Sequence, residues 1–159
     1  MNRIGTTVTI LMGVLAVSSC AANGSGDGLL LPPDDPMEHV ESFDSDLEFS
    51  QVVYVIADET SPGVYTFSVT LRHDDEGWDH YADLWEVVHP ESGTILGERV
   101  LAHPHDNEQP FTRSQSGIEI PTGLERVVVR SKCTVHGYGG RSILVDLTGA
   151  DSDYFEVRR

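Results

Sequence analysis

The sequence has little positive charge, few cysteines and no apolar run long enough to cross a bilayer. Ten basic residues face 26 acidic ones in 159 residues, for a formal net charge of −16, and Lys132 is the single lysine. Phosphate groups are bound by basic patches, so this balance excludes nucleic acid as a partner. It is typical of a well-solvated surface, and it would favour cations, basic partners or a salty medium.

The motifs of several common enzyme classes are also absent. The sequence has no Gly-x-Ser-x-Gly nucleophile elbow and no Cys-x-x-Cys pair. Residues 137–140 are rich in glycine but lack the spacing of a phosphate-binding loop, and they predict a hairpin turn instead. The sequence therefore names no reaction, and we favour a non-enzymatic protein without excluding an enzyme.

The N-terminus has the features of an export signal. The apolar run from Val8 to Val17 suits a signal peptide and is too short to cross a bilayer. The residues before Cys20 are small or apolar, and the run resembles a bacterial lipobox, Val17-Ser18-Ser19-Cys20. The resemblance implies cleavage after residue 19, lipid attachment at Cys20 and anchoring in the cell envelope. An ordinary secretory signal with an incidental cysteine is the alternative.

Composition divides the rest of the chain into three parts. Residues 20–46 are dominated by glycine, serine, aspartate and proline, so we expect a disordered linker behind the lipid-attachment cysteine. Residues 47–149 are predicted to form the folded domain. Residues 150–159 are a C-terminal tail to which we assign no structure. Ala21, rather than aspartate, follows Cys20 and resembles the sorting pattern for an outer-membrane lipoprotein facing the periplasm.

Short runs rich in β-branched and aromatic residues recur about every ten residues, and no stretch has a helical apolar period. We expect seven strands, at residues 49–57, 64–73, 83–89, 94–103, 112–120, 124–135 and 141–147. Buried side chains alternate with polar ones in the second strand, and Trp85 in the third resembles the core tryptophan of immunoglobulin-type domains. The sixth strand is predicted to bury Val127, Val129, Ser131, Cys133 and Val135. The fold class is an all-β, seven-stranded antiparallel immunoglobulin-like β-sandwich.

Most of the histidines fall in loops on one side of this predicted fold. If successive strands alternate in direction, the loops after the second, fourth and sixth strands lie at the same end of the sandwich. Five histidines belong to these loops, namely His73, His80, His103, His105 and His136. Neutral imidazoles ligate zinc and copper, so these five residues are the candidate metal ligands. The alternative is that they only hydrogen bond to backbone carbonyls and nearby carboxylates.

The segment His103-Pro104-His105 is the most concentrated part of this candidate site. Its two histidines are two residues apart, so they project to the same side of an extended chain. Asp106 and Glu108 follow directly and could serve as bases if the site were that of a metal-dependent hydrolase.

The segment from Cys133 to Gly140 resembles the copper loop of small blue-copper proteins, where a cysteine and a nearby histidine precede the last strand. The sequence departs from that pattern, because no methionine follows Met37. The upstream histidine would have to be His89, His103 or His105. Cys133 also has the parity of a buried position in the sixth strand, so we expect it to be a small core residue.

Aromatic residues in the same loops suggest a different ligand. Trp78, Tyr81 and Tyr138, together with Asp106 and Glu108, could form a platform for a peptide or a sugar. Our first hypothesis is thus a lipid-anchored binding or interaction module that uses these loops. The second is a periplasmic lipoprotein that binds Zn or Cu, and the third is the hydrolase. The cofactor and the oligomeric state stay open.

Overall fold

The structure, a computed structural model, describes residues 47–149 and 151–159, which form eight β-strands. In chain order the strands are β1 (Gln51–Ser61), β2 (Val64–Arg72), β3 (Ala82–Val88), β4 (Ile95–Val100), β5 (Phe111–Glu119), β6 (Arg126–Cys133), β7 (Ile143–Asp146) and β8 (Phe155–Arg158). No helix in these two ranges is long and apolar enough to cross a membrane. The predictions for the signal peptide, Cys20 and the linker up to residue 46 lie outside the described residues.

The strands form two four-stranded sheets. One has the order β5-β2-β1-β8 and the other β4-β3-β6-β7. Neighbouring strands are antiparallel except β1 and β8, which are parallel. The prediction of an all-β sandwich is confirmed, but its details need two corrections: there are eight strands instead of seven, and one pair is parallel.

The eighth strand comes from the C-terminal segment, which the sequence left unassigned. Phe155 is 8% exposed and packs into the core, while Val157 is partly buried against it. The backbone N–H of Ser152 donates to the Phe155 carbonyl, and this turn brings the segment alongside β1. Burial of one aromatic residue and a row of backbone hydrogen bonds therefore stabilise a strand only four residues long.

The core lies between the two sheets and follows the predicted alternation. In β2 the side chains of Tyr65, Phe67, Val69 and Leu71 are buried, and the residues between them are not. Trp85 in β3 is fully buried. Because side chains alternate between the faces of a strand, this pattern turns one face of each sheet inward and leaves the other to solvent.

Strand β6 ends two residues earlier than predicted. The chain turns tightly after Cys133, whose backbone exchanges hydrogen bonds with that of Gly137 in both directions. Gly137 has a φ of 67°, a conformation that glycine adopts without steric cost. Val135 lies in this turn and is 57% exposed, so the prediction that it is buried was wrong. Val127, Val129, Ser131 and Cys133 are buried as predicted.

Strand pairing places two of the histidine-bearing loops side by side. Ala82 at the start of β3 is opposite Cys133 at the end of β6. Just beyond this pair, the Thr134 backbone N–H donates to the Tyr81 carbonyl, and the Thr134 hydroxyl donates to the Asp79 carbonyl. The loop before β3 is thereby held against the turn after β6.

Candidate functional site

The histidines at this end of the sandwich form two groups. We call His73, His80, Cys133 and His136 the first cluster, and His103, His105 and Glu108 the second cluster. In the second cluster, and among His73, His80 and Cys133 of the first, ligand atoms lie within 4.8 Å of one another. The five predicted ligands are thus divided between two places, and the first includes a cysteine that was predicted to be only a core residue.

In the first cluster the imidazole rings contact one another. The His80 ring is perpendicular to both neighbouring imidazoles, with centroids 4.7 Å from His73 and 4.9 Å from His136. His73 and Cys133 are buried. His80 Nδ1 lies 3.4 Å from Glu76 Oε2, while its Nε2 is buried without a hydrogen-bond partner in the described part of the chain. One imidazole nitrogen of the first cluster is therefore shielded from solvent and has no partner among the described residues.

The turn after β6 directs Cys133 and His136 to the same side. Cys133 Sγ lies 3.9 Å from His136 Nδ1, and the His136 backbone N–H points at the sulfur from 3.4 Å. The sulfur therefore accepts a weak hydrogen bond from the backbone of its own turn. Cys133 and His136 are three residues apart within this tight turn, which Gly137 closes immediately after His136.

The backbone carbonyl of Glu48 occupies the centre of the first cluster. Its oxygen lies 2.9 Å from His136 Nδ1, 3.2 Å from His73 Nε2 and 3.4 Å from Cys133 Sγ. A carbonyl oxygen only accepts hydrogen bonds, so these three atoms face it as donors. The segment at the start of the domain thus closes the cluster from one side.

His73 has a second partner besides the Glu48 carbonyl. His73 Nδ1 is 2.6 Å from Asp75 Oδ1, and an ionised carboxylate only accepts hydrogen bonds, so Nδ1–H donates to it. Its Nε2 lies 3.2 Å from the Glu48 carbonyl oxygen, which only accepts hydrogen bonds. His73 therefore has a contact at each ring nitrogen, with Asp75 at Nδ1 and with the Glu48 carbonyl at Nε2.

Asp75 joins the two clusters. Its Oδ1 accepts from His73 and from the backbone N–H of Ala82 at 3.0 Å, and its Oδ2 accepts from the backbone N–H of His105 at 2.6 Å. Burial of the carboxyl favours its neutral form, but these three hydrogen bonds outweigh burial and hold the pKa of Asp75 below its ordinary value. The carboxylate is therefore charged at neutral pH and fixes all three loops around it.

The second cluster is built around a buried imidazole. The His105 ring stacks on Phe111 with centroids 3.8 Å apart and lies 4.5 Å from the His103 ring. Its Nε2 is 3.9 Å from Glu108 Oε1, which also accepts from Arg113 at 2.7 Å. Burial, followed by the positive charge of Arg113, lowers the pKa of His105. The ring is therefore neutral at neutral pH, which is the form that binds a metal.

The predicted aromatic platform is divided as well. Trp78 is 70% exposed and contacts Tyr81 edge to face at 6.1 Å. Tyr138 instead lies under the Arg130 guanidinium, 4.3 Å from its ring centroid. Burial and the hydrogen-bonded Glu86 carboxylate raise the pKa of Tyr138 to about 12. Of the acidic residues in the prediction, Asp106 accepts from the Asn107 side chain, and Glu108 belongs to the second cluster.

The structure also changes the comparison with blue-copper proteins. The histidines beside Cys133 and His136 are His73 and His80, whereas the sequence offered His89, His103 or His105. His89 lies in the turn after β3, where its ring nitrogen accepts backbone hydrogen bonds from Glu91 and Ser92. Two signals in the sequence could have indicated this grouping, namely the parity of His73 with the buried face of β2 and the short spacing of Cys133 and His136.

Comparisons with known proteins bear on the chain as a whole. A protein of Halomicrobium mukohataei named "Putative lipoprotein" is 44% identical to it over 109 residues, which cover 69% of this chain and 53% of that protein. The chain spans about half the length of this relative. No family model and no solved structure matches the chain. The similarity supports the interpretation of the chain as a lipoprotein of the cell envelope.

Proposed function

We propose that this protein is an exported, lipid-anchored β-sandwich that binds a transition-metal ion through the first cluster. The observation that carries the proposal is the convergence of three imidazoles and one thiol from three segments, namely the end of β2, the loop before β3 and the turn after β6. Within the described residues, His80 Nε2 is buried in this group without a hydrogen-bond partner, which costs free energy. A bound ion would satisfy this nitrogen, with the thiol and the other imidazoles as further ligands.

The donor atoms favour zinc or copper. A thiolate with imidazoles is the ligand set that these two metals prefer, and hard ions such as Mg²⁺ prefer oxygen. Two ligands at about 2.1 Å from a tetrahedral zinc ion lie about 3.4 Å apart. The 3.9 Å between Cys133 Sγ and His136 Nδ1 and the 4.8 Å limit of the group are therefore within a small inward movement of a coordination shell.

Metal binding at this site would release protons. The donors that face the Glu48 carbonyl carry hydrogens, and a metal replaces those hydrogens at sulfur and nitrogen. The Glu48 oxygen then either withdraws or becomes an additional, weak ligand, as a backbone oxygen does in some copper sites. Binding should consequently strengthen as pH rises.

The lipid anchor is proposed from the N-terminal sequence and is supported by the lipoprotein relative. In this proposal residues 1–19 are removed, Cys20 carries the lipid, and residues 20–46 connect the anchor to the domain. The sorting pattern at Ala21 favours the outer membrane, with the domain facing the periplasm. A site there would exchange metal with the envelope rather than with the cytoplasm.

The strand order supports the immunoglobulin-like part of the proposal. In one sheet the strands lie side by side in the order β4-β3-β6-β7. Strands β1, β2 and β5 belong to the opposite sheet. This is the partition of an immunoglobulin-like sandwich, in which a buried tryptophan on the third strand packs between the sheets. The parallel strand β8 is an addition to that order.

A cobalt titration tests the metal proposal. Full-chain protein purified without a histidine tag and stripped of metal should bind Co²⁺ with a near-ultraviolet thiolate-to-cobalt band. Cys133→Ser should abolish the band, and His80→Gln should weaken binding at least about tenfold. His89→Gln, in the turn after β3, is the matched control and should change neither. Co²⁺ uptake without any thiolate band in the unmodified protein would refute the proposal.

A separate experiment tests the anchor. Cys20→Ser should move the protein from the membrane fraction to the soluble fraction, because lipid attachment requires the thiol. Cys133→Ser keeps Cys20 and should stay in the membrane fraction. Unchanged membrane retention of Cys20→Ser would rule out lipidation at this residue.

The exposed Trp78 favours a second candidate function, the docking of a peptide or sugar beside the first cluster. A tryptophan that is 70% exposed offers a large apolar face at little structural cost. Trp78→Ala should leave the melting temperature unchanged and abolish the shift in tryptophan fluorescence on ligand addition. The buried Trp85 serves as the internal reference.

A further inference from the structure

We propose that the second cluster is a separate metal site, in which His103, His105 and Glu108 hold a divalent zinc or copper ion. This inference is independent of the first cluster, because it concerns different ligands on a different loop. Its donor set is two imidazole nitrogens and one carboxylate oxygen, without sulfur. Three protein ligands leave at least one coordination position of the metal open for water or for an external ligand.

The buried imidazole of His105 is the first argument for this site. Its side chain is 1% exposed, and neither Nδ1 nor Nε2 has a hydrogen-bond partner within residues 47–149 and 151–159. Burying a polar group without a partner costs free energy, so two such atoms in one ring call for an explanation. Coordination of a metal by one nitrogen would satisfy one of these two atoms.

The ring is also fixed in place, as a ligand should be. Phe111 stacks on it at an interplanar angle of 7°, and the His105 backbone N–H is bound to Asp75 at 2.6 Å. The Glu108 backbone N–H donates to the His105 carbonyl at 3.2 Å, which closes a turn and brings the carboxylate back towards the ring. A ligand held by packing and by hydrogen bonds loses little entropy on binding.

The other two ligands complete the site from the solvent side. His103 is exposed and its ring centroid lies 4.5 Å from that of His105. Glu108 Oε1 is 3.9 Å from His105 Nε2, which a bound ion would shorten towards the roughly 3.4 Å of tetrahedral ligands. Arg113 holds this same oxygen and orients the carboxylate. Its positive charge also repels a cation, so we expect weaker binding here than in the first cluster.

The test uses the full chain with the first cluster disabled by Cys133→Ser and His80→Gln. Calorimetric titration with Zn²⁺ should still give one equivalent. Adding His103→Gln should weaken that equivalent at least tenfold, and adding the control His89→Gln should not. His103 is exposed, so its substitution should leave the thermal midpoint unchanged.

A second measurement covers the case in which the double variant does not fold. The unmodified chain should bind two Zn²⁺ and the single variant His103→Gln one, while Co²⁺ keeps its thiolate band in both. Zinc uptake that persists unchanged in His103→Gln and in Glu108→Gln would assign it to other acidic side chains and overturn the proposal. Absence of the thiolate band together with a zinc equivalent lost in His103→Gln would instead refute only the first cluster.

Discussion

Asp75 Oδ1 lies 2.6 Å from His73 Nδ1, and both side chains are completely shielded from solvent. The same carboxylate binds the backbone N–H groups of Ala82 and His105. One buried charge therefore connects the end of β2, the start of β3 and the loop before β5. It also directs His73 Nε2 towards the first cluster, as a carboxylate does behind many metal-binding histidines.

The variant Asp75→Asn should destabilise the protein by roughly 2–4 kcal/mol, because an amide cannot replace three hydrogen bonds to a buried carboxylate. Urea unfolding followed by circular dichroism measures the loss. Asp106→Asn removes a carboxylate from the same end of the sandwich at an exposed position and should cost less than about 0.5 kcal/mol. Equal costs for the two variants would contradict the role given to Asp75.

The sandwich could be predicted from the sequence because alternation is a local property. Each strand carries its own inward and outward residues, so the buried positions of β2 and most of those of β6 follow from the printed letters. The prediction for Val135 was wrong because β6 ends at Cys133, where a tight turn to Gly137 begins. Val135 still has the two-residue spacing of the buried positions, so the sequence pattern continues past the end of the strand. Strand β8 was missed because four residues are too few to show a period.

The candidate site could be predicted only in outline. Alternating strand direction placed the histidine-bearing loops at one end, but the division into two clusters depends on contacts between distant residues. The Glu48 carbonyl meets Cys133 and His136 across more than 80 positions of sequence. Backbone groups carry no signal in a sequence, so this contact and the role of Asp75 required coordinates.

Gly140 lies against the backbone of Ser50, two residues after Glu48. A Cβ at this position would lie 2.0 Å from the Ser50 carbonyl oxygen, a contact that forces the backbone apart. Gly140→Ala should destabilise the protein by roughly 1–3 kcal/mol and should also change the Co²⁺ spectrum, because the shifted segment carries the Glu48 oxygen.

Gly123→Ala is the matched control for this prediction. Gly123 has a φ of 85° and open space around its Cβ position, so alanine there costs backbone strain without moving the Glu48 segment. Thermal unfolding should detect both variants, whereas only Gly140→Ala should alter the cobalt spectrum. An unaltered spectrum in Gly140→Ala would mean that the Glu48 segment does not shape the site.

The pKa of Tyr138, raised to about 12 by burial and by Glu86, predicts a loss of stability in alkali. The folded protein resists ionisation of this phenol, while the unfolded chain ionises near pH 10. The stabilising effect is therefore complete below pH 10 and declines as the pH rises towards 12. Tyr138→Phe keeps the ring under Arg130 and should show a shallower decline in urea midpoint between pH 10 and 12. Identical pH profiles for the two proteins would contradict this origin of the decline.

The contribution of β8 to the fold can be measured at Phe155. Its ring is 8% exposed and belongs to the core, so Phe155→Ala should cost about 3 kcal/mol, the low end of the range for a buried phenylalanine. Val135→Ala should cost less than about 0.5 kcal/mol, because Val135 is 57% exposed. Urea midpoints of the two variants at neutral pH give the comparison. The larger cost is expected for Phe155→Ala, because the tight turn leaves Val135 exposed and the parallel strand β8 buries Phe155. A larger cost for Val135→Ala would mean that β6 continues beyond Cys133 and that the C-terminal segment does not pack on β1.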